Sequence, residues 1–168
     1  IPHEHLIEEF ATRGIPREKL YPLGIPIGRE FQHSDTKMEA RRKIAESYGW
    51  DISPWKNWFL IMTGSMGYGS TQEIIDETLK QSQEETEIIA VCGRNEEMRL
   101  KLTEDNKTRK VVHPIGYTDD VPLLMDACDV LFTKPGGISS TEAICKSIPI
   151  IHTKPIPGCE TRNAEFFH

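Results

Sequence analysis

The chain holds 168 residues, with 38% hydrophobic residues and a formal net charge of −6. That length suits one α/β domain and falls short of two. An acidic balance without a Lys/Arg cluster argues against nucleic acid as a partner, since its backbone is held by clustered positive charge. It argues equally against this segment being a strong electrostatic anchor on anionic lipid. No apolar run approaches the roughly 20 residues a membrane-spanning helix needs. None of the four cysteines forms C-x-x-C and three lie in apolar stretches, so small-hydrophobe roles in a reducing compartment are expected. The chain opens at Ile1 and stops at His168 inside what reads as a starting helix, so both ends look cut and the chain reads as a fragment.

In chain order, a helix is expected from His3 to Ala11, stopped by Gly14, then a short extended piece at Lys19 to Leu23. Gly24-Ile25-Pro26-Ile27-Gly28 is too rich in Gly and Pro for a regular element and reads as a hinge or linker. Asp35 to Tyr48 is amphipathic and ends at Gly49. From there apolar runs of strand length alternate with helical patterns. The runs are Trp58–Met62, Glu87–Val91, Lys110–Ile115, Asp129–Phe132 and Pro149–His152. The helical patterns are Thr71–Ser82, Asn95–Thr103, Val121–Cys128, Ser139–Lys146 and the start at Thr161–Phe167. Continuous apolar strands separated by amphipathic helices predict an α/β fold, a Rossmann-like doubly wound parallel sheet covered on both faces. In such sheets ligands bind outside the carboxyl ends of the strands, so the loops after each strand are the places to look for chemistry.

The loop after the first strand is Gly64-Ser65-Met66-Gly67-Tyr68-Gly69-Ser70. Glycines let backbone N–H groups approach a phosphate closely, but a tight strand-to-helix turn explains them as well. Their order is not G-x-G-x-x-G, no acidic residue ends the second strand, and no Walker Lys follows, so a dinucleotide oxidoreductase is disfavoured. The loop after the fourth strand, Lys134-Pro135-Gly136-Gly137-Ile138-Ser139, leads straight into a helix whose free N–H groups suit a diphosphate. Glu142, one turn in, is placed to accept from two ribose hydroxyls. Ser139-x-x-Glu142 is also the pattern of a capping box, and by pattern both readings stay open. In the last loop, Pro155 to Asn163, the polar residues Glu160, Arg162 and Asn163 suit a sugar as well as a solvated helix start. Asp119-Asp120 reads as first-turn charge, and His3-x-His5 as a surface pair. D-x-D, H-x-x-x-H and G-x-S-x-G are absent, so no metal site and no hydrolase elbow is expected.

Taken in order, these loops look familiar. Gly-Ser-x-Gly at 64–67, Cys92-Gly93-Arg94-Asn95, Gly116-Tyr117 with Asp119-Asp120, Thr133-Lys134-Pro135-Gly136-Gly137 with Glu142, and Pro155-Ile156-Pro157-Gly158 running to Arg162-Asn163-Ala164-Glu165 form one series. The series resembles the C-terminal, donor-binding domain of family 28 GT-B glycosyltransferases. The likeness is to bacterial diacylglycerol glucosyltransferases and plant monogalactosyldiacylglycerol synthases, and it runs from Gly24 to Phe167.

The resemblance implies half of a GT-B fold. Residues 1–23 would be a remnant of the N-terminal acceptor domain, 24–34 the interdomain linker, and 35–168 the UDP-sugar-binding domain, truncated at its C-terminus. Gly64, Ser65 and Gly67 would line the phosphate and sugar side, with Arg94 in the next loop. Gly116 and Tyr117 would lie near uracil. Pro135, Gly136, Gly137 and Ser139 would form the diphosphate turn, and Glu142 would take the ribose. Gly158, Glu160 and Asn163 would meet the donor sugar. Close relatives carry Gln where this chain has Cys159, which puts the choice of glucose or galactose in question, because a thiol cannot replace an amide.

The implied reaction is an inverting, metal-independent transfer of a hexose from UDP-glucose or UDP-galactose to a lipid acceptor such as diacylglycerol. The acceptor would be held by the missing N-terminal domain, which would also carry the catalytic base. No cofactor is implied, since the UDP-sugar is a co-substrate, and no catalytic residue is expected in this chain. The full-length enzyme would be peripheral on the cytoplasmic side of a membrane. Two other readings are a stand-alone nucleotide-sugar-binding subunit working with a partner acceptor domain, and a UDP-sugar epimerase-like enzyme of the same shape.

Overall fold

A computed structural model describes residues 1–64, 68–82, 86–156 and 158–167. Its centre is one five-stranded, all-parallel sheet: β1 (Asn57–Met62), β2 (Thr86–Val91), β3 (Val112–Ile115), β4 (Val130–Thr133) and β5 (Ile150–His152). The order is β3-β2-β1-β4-β5, so chain direction across the sheet reverses between β1 and β4. All five expected strands are present. β3 is shorter than its apolar run suggested, because Lys110 and Val111 lie in the turn before it.

Strand residues alternate between two buried faces, and that is why the strands read as continuous apolar runs. Trp58, Leu60, Ile89, Ile115 and Leu131 pack with α2 (Lys37–Tyr48), α5 (Val121–Ala127) and α6 (Gly137–Cys145). Ile61, Ile88, Ala90 and Val112 face the other way, onto α3 (Tyr68–Ser82) and α4 (Glu96–Asp105). Arg41 of α2 is buried against this core with its guanidinium 5.1 Å from the Trp58 ring. It donates to the carbonyls of Ala127 (2.8 Å) and Lys56 (3.0 Å) and pairs with Asp129 at 2.5 Å. A buried guanidinium with this many acceptors ties α2 to two loops at the amino end of the sheet, the one before β1 and the one before β4.

The amino-terminal residues are anchored to the domain. A 3-10 turn at Glu4–Leu6 precedes α1 (Ile7–Thr12). Of the piece expected to be extended at Lys19 to Leu23, Lys19 closes a 3-10 turn at Arg17–Lys19, Leu20 has extended backbone, and residues 20–23 form no regular strand. Pro16 and a local Glu8–Arg17 ion pair favour the turn at Arg17–Lys19, while the Ile1 ammonium donates to Tyr21 O at 2.8 Å and Ile1 O accepts the Leu23 N–H at 3.1 Å. Across from it lies α7 (Cys159–Phe166), with Arg162 3.3 Å from Glu9 and the His3 ring 4.7 Å from that of Phe166. Of the stretch read as linker, Phe31 is buried in the core. The Lys146 ammonium donates to His33 O and to Asp126 at 2.8 Å, while the Asp35 N–H donates to the same Asp126 carboxylate.

Three local expectations change. α6 begins at Gly137, so Ser139 lies inside the first turn, where its side chain cannot cap; Gly136 holds the N-cap position without a side-chain bond. The capping-box reading of Ser139 and Glu142 therefore fails, and a capping box forms instead at Thr36 and Glu39 of α2. Cys92 and Cys128 are buried as small hydrophobes, but Cys145 is exposed, because it falls on the outer side of α6. Burial pushes the Cys92 thiol up to about 11 and Cys128 further still.

Candidate functional site

A cleft of about 540 Å³ opens at the carboxyl end of the sheet, where the strand order reverses. Its walls are the ends of β1, β2 and β4: Met62 and Gly64, Cys92 to Asn95, and Thr133, Lys134, Gly136 and Ser139. A larger apolar groove of about 780 Å³, lined by Phe59, Ile74, Phe132 and Ile151, lies over the other sheet face. The smaller cleft instead lies against the glycine turns at the strand ends and the start of α6, so the chemistry points to it.

Gly64 leaves β1 with φ at +65°, a left-handed turn that glycine adopts without a Cβ penalty. The space in front of it is filled by Lys134, whose Cε lies 3.4 Å from where a Cβ would stand. After β4, Pro135 is buried and stiffens the turn, and Gly136 donates to Lys134 O at 2.7 Å. The first N–H groups of a helix have no acceptor within the helix, and among the described residues no side chain caps α6, whose N-cap is Gly136. The helix therefore presents free donors and a positive end at the cleft. An added Cβ on Gly137 would stand 3.0 Å from Ile25 Cδ1 and 3.9 Å from the Asn163 amide nitrogen, so three segments converge on this turn.

Arg94 and Tyr117 are both exposed and lie together, the guanidinium 5.7 Å from the ring centre. Tyr117 OH donates to Asp119, Gly116 sits over the Arg99 side chain, and Asp120 takes a hydrogen bond from Tyr48 OH at 3.0 Å. Asp120 thus works structurally at the N-cap of α5, while Asp119 stays exposed. Glu142 is half-buried on α6. Burial, and then the Glu30 carboxylate, raise its pKa above the ordinary value.

Glu160 is buried at the start of α7. One of its oxygens pairs with Lys134 at 2.8 Å and the other accepts the Ile156 N–H at 2.7 Å. Burial pushes the Glu160 carboxyl up, but the bonds from Lys134 and Ile156 and the lysine charge outweigh it and hold the carboxyl below its usual range. Gly158, with φ at +107°, is exposed at the turn into α7.

Of the expected site residues, Gly64, Arg94, Gly136 and Ser139 line one cleft, with Pro135 and Gly137 in the same turn and Tyr117 reaching it through Arg94. Glu142 lies further along α6, Gly158 stands at the N-cap of α7, Asn163 approaches the α6 turn at Gly137, and none of the three lines the cleft. Ser65 and Gly67 lie outside the described residues. Sequence reasoning passed over Lys134 as a site residue, although a lysine directly before Pro-Gly-Gly was its signal. Among the described residues no cluster of metal-ligating side chains is found, and no helix is long and apolar enough to cross a membrane.

No family model matches the chain. It is 33% identical over 165 residues to a processive diacylglycerol β-glucosyltransferase of Staphylococcus saprophyticus, covering 98% of this chain and 40% of that protein. The enzyme of the same name in Bacillus licheniformis is 33% identical over 180 residues, with 98% of this chain and 44% of the relative covered. Among solved structures, WaaG, a glycosyltransferase involved in lipopolysaccharide biosynthesis, superposes with a TM-score of 0.62 at 19% identity, over 98% of this chain and 51% of that one. Anabaena Alr3699/HepE, solved in complex with UDP-glucose, gives 0.57 at 18% identity over 91% and 43%. These structural likenesses show the fold, one half of a GT-B fold. Over 98% of its length the chain is thus a homologue of the processive diacylglycerol β-glucosyltransferases, as its ordered loop motifs implied, and it spans about two fifths of their length.

Proposed function

We propose that this chain is the C-terminal, UDP-sugar-binding half of a hexosyltransferase that glycosylates a lipid such as diacylglycerol. The observation that carries the reading is the uncapped α6 N-terminus at Gly136-Gly137, facing a cleft at the strand-order reversal with Lys134 beside it. That combination of free N–H donors and a cation suits a diphosphate. Gly116 and Tyr117 would border the uracil, Glu142 would accept from the ribose hydroxyls, and Gly158 and Asn163 would face the sugar. The names of the relatives and the nucleotide bound in the HepE structure support the same assignment.

In the proposed inverting step a lipid hydroxyl attacks the anomeric carbon. A new C–O bond forms while the bond to the diphosphate breaks, and its electron pair leaves with UDP. The hydroxyl proton passes to a base in the acceptor domain. This chain's part is electrostatic. Preorganised donors aimed at a growing oxyanion contribute about 2.7–4 kcal/mol each to lowering a barrier. Lys134 and the α6 terminus would fill the role that a metal plays in other nucleotide-sugar sites, so the transfer is read as metal-independent and without a cofactor. The whole enzyme would then sit peripherally on the cytoplasmic side of its membrane.

Calorimetric titration with UDP, with ADP and NAD as controls, tests this reading. Saturable binding of UDP alone, weakened about tenfold or more in Glu142→Ala through loss of charge-assisted hydrogen bonds, is the expected result. Binding of NAD or ADP in preference to UDP would overturn it.

A further inference from the structure

Among the described residues, Lys134 is the one ammonium lining the cleft at the α6 turn, and its only ion pair is with Glu160. The two side chains come from different loops, Lys134 from the end of β4 and Glu160 from the first turn of α7. Both are well shielded, at 19% and 10% side-chain exposure. Glu160 also accepts the Ile156 N–H, which ties the loop before α7 to the same carboxylate. One carboxylate therefore links three segments, with each oxygen already committed. A flexible four-carbon lysine stem would otherwise swing freely, and holding it in one rotamer against Gly64 removes that freedom before a ligand arrives.

We propose that Glu160 is a positioning residue rather than a sugar ligand: it fixes the Lys134 ammonium over the phosphate side of the cleft and acts on the donor only through that lysine. The proposal rests on the donor-site reading above. It predicts that Glu160 affects the diphosphate and leaves recognition of the hexose unchanged.

The test is calorimetric titration of the chain and its variants with uridine, UDP and UDP-glucose. In the unaltered chain UDP binds, and in Lys134→Met its affinity falls about tenfold or more while uridine affinity is unchanged, since only the diphosphate meets the ammonium. In Glu160→Gln, UDP and UDP-glucose weaken by the same factor, about threefold to tenfold, and uridine again is unchanged. The double variant matches Lys134→Met alone, because a residue acting through Lys134 has nothing left to act on. A Glu160→Gln variant that loses UDP-glucose affinity while keeping UDP would overturn the proposal by placing the carboxylate on the sugar. So would full additivity in the double variant, or a matching loss of uridine, which would mean a general loosening of the site. Absence of UDP binding by the unaltered chain would instead remove the donor-site reading itself, and the proposal with it.

Discussion

Glu142 bears a cost of burial instead of capping its helix. Its side chain does not cap α6, because the helix starts at Gly137 and Ser139 is already inside it. What remains is a half-buried carboxyl, its pKa raised first by burial and then by Glu30. A carboxyl whose folded pKa is raised contributes its stability below the unfolded pKa and loses it as pH rises through the folded value. Near neutral pH the fold therefore bears the cost of an ionised Glu142. Glu142→Gln is expected to raise the melting temperature at pH 7 by about 1–2 °C and to leave it unchanged near pH ~4. A scan at both pH values checks the sign, and an equal shift at each would exclude the ionisation argument.

At the scale of elements, α2 has defined boundaries at both ends. Thr36 accepts the Glu39 N–H, the Glu39 carboxylate reaches back to Thr36, and Gly49 ends the helix in the left-handed region at φ 65°. Ala40 and Ile44 are fully buried and fix the face that α2 turns to the sheet. Removing the cap should cost about 1 kcal/mol. Thr36→Ala is accordingly expected to lower the urea midpoint without changing the slope of the transition, which equilibrium unfolding followed by circular dichroism would detect. By contrast α6 lacks any side-chain cap, and its open donors point at the cleft. The two helices differ in this respect: the α2 start is capped by its own side chains, and the α6 start faces the cleft.

For the whole molecule, the decisive contacts are those joining residues 1–34 to the sheet domain. Lys146 and Asp126 are 1% and 5% exposed at the side chain, and their pair is completed by His33 O and the Asp35 N–H. Removing the ammonium alone leaves a buried carboxylate with one backbone donor, which typically costs about 3–5 kcal/mol. Lys146→Met should therefore destabilise the chain strongly, while the double change Lys146→Met with Asp126→Leu recovers most of the loss. Limited proteolysis near Gly24 to Gly28, faster in the single variant than in the double, would confirm that this pair holds the segment down. Equal cleavage in both would show that Phe31 burial does so instead.

The sequence by itself determined the α/β class, the five strands and the loops after them as the place to look for a candidate site. Strands buried on both faces must be apolar throughout, and glycines at strand ends mark backbone that has to turn or come close. Only the tertiary structure decided which loop residues meet. Lys134 and Glu160 are 26 positions apart in the chain yet 2.8 Å apart in space, and no local pattern reports an ion pair between two loops. The same limit hid the start of α6, because S-x-x-E is legible in a sequence whether or not the helix has begun two residues earlier. Periodicity is a property of neighbours along the chain, whereas a binding site is made of neighbours across it.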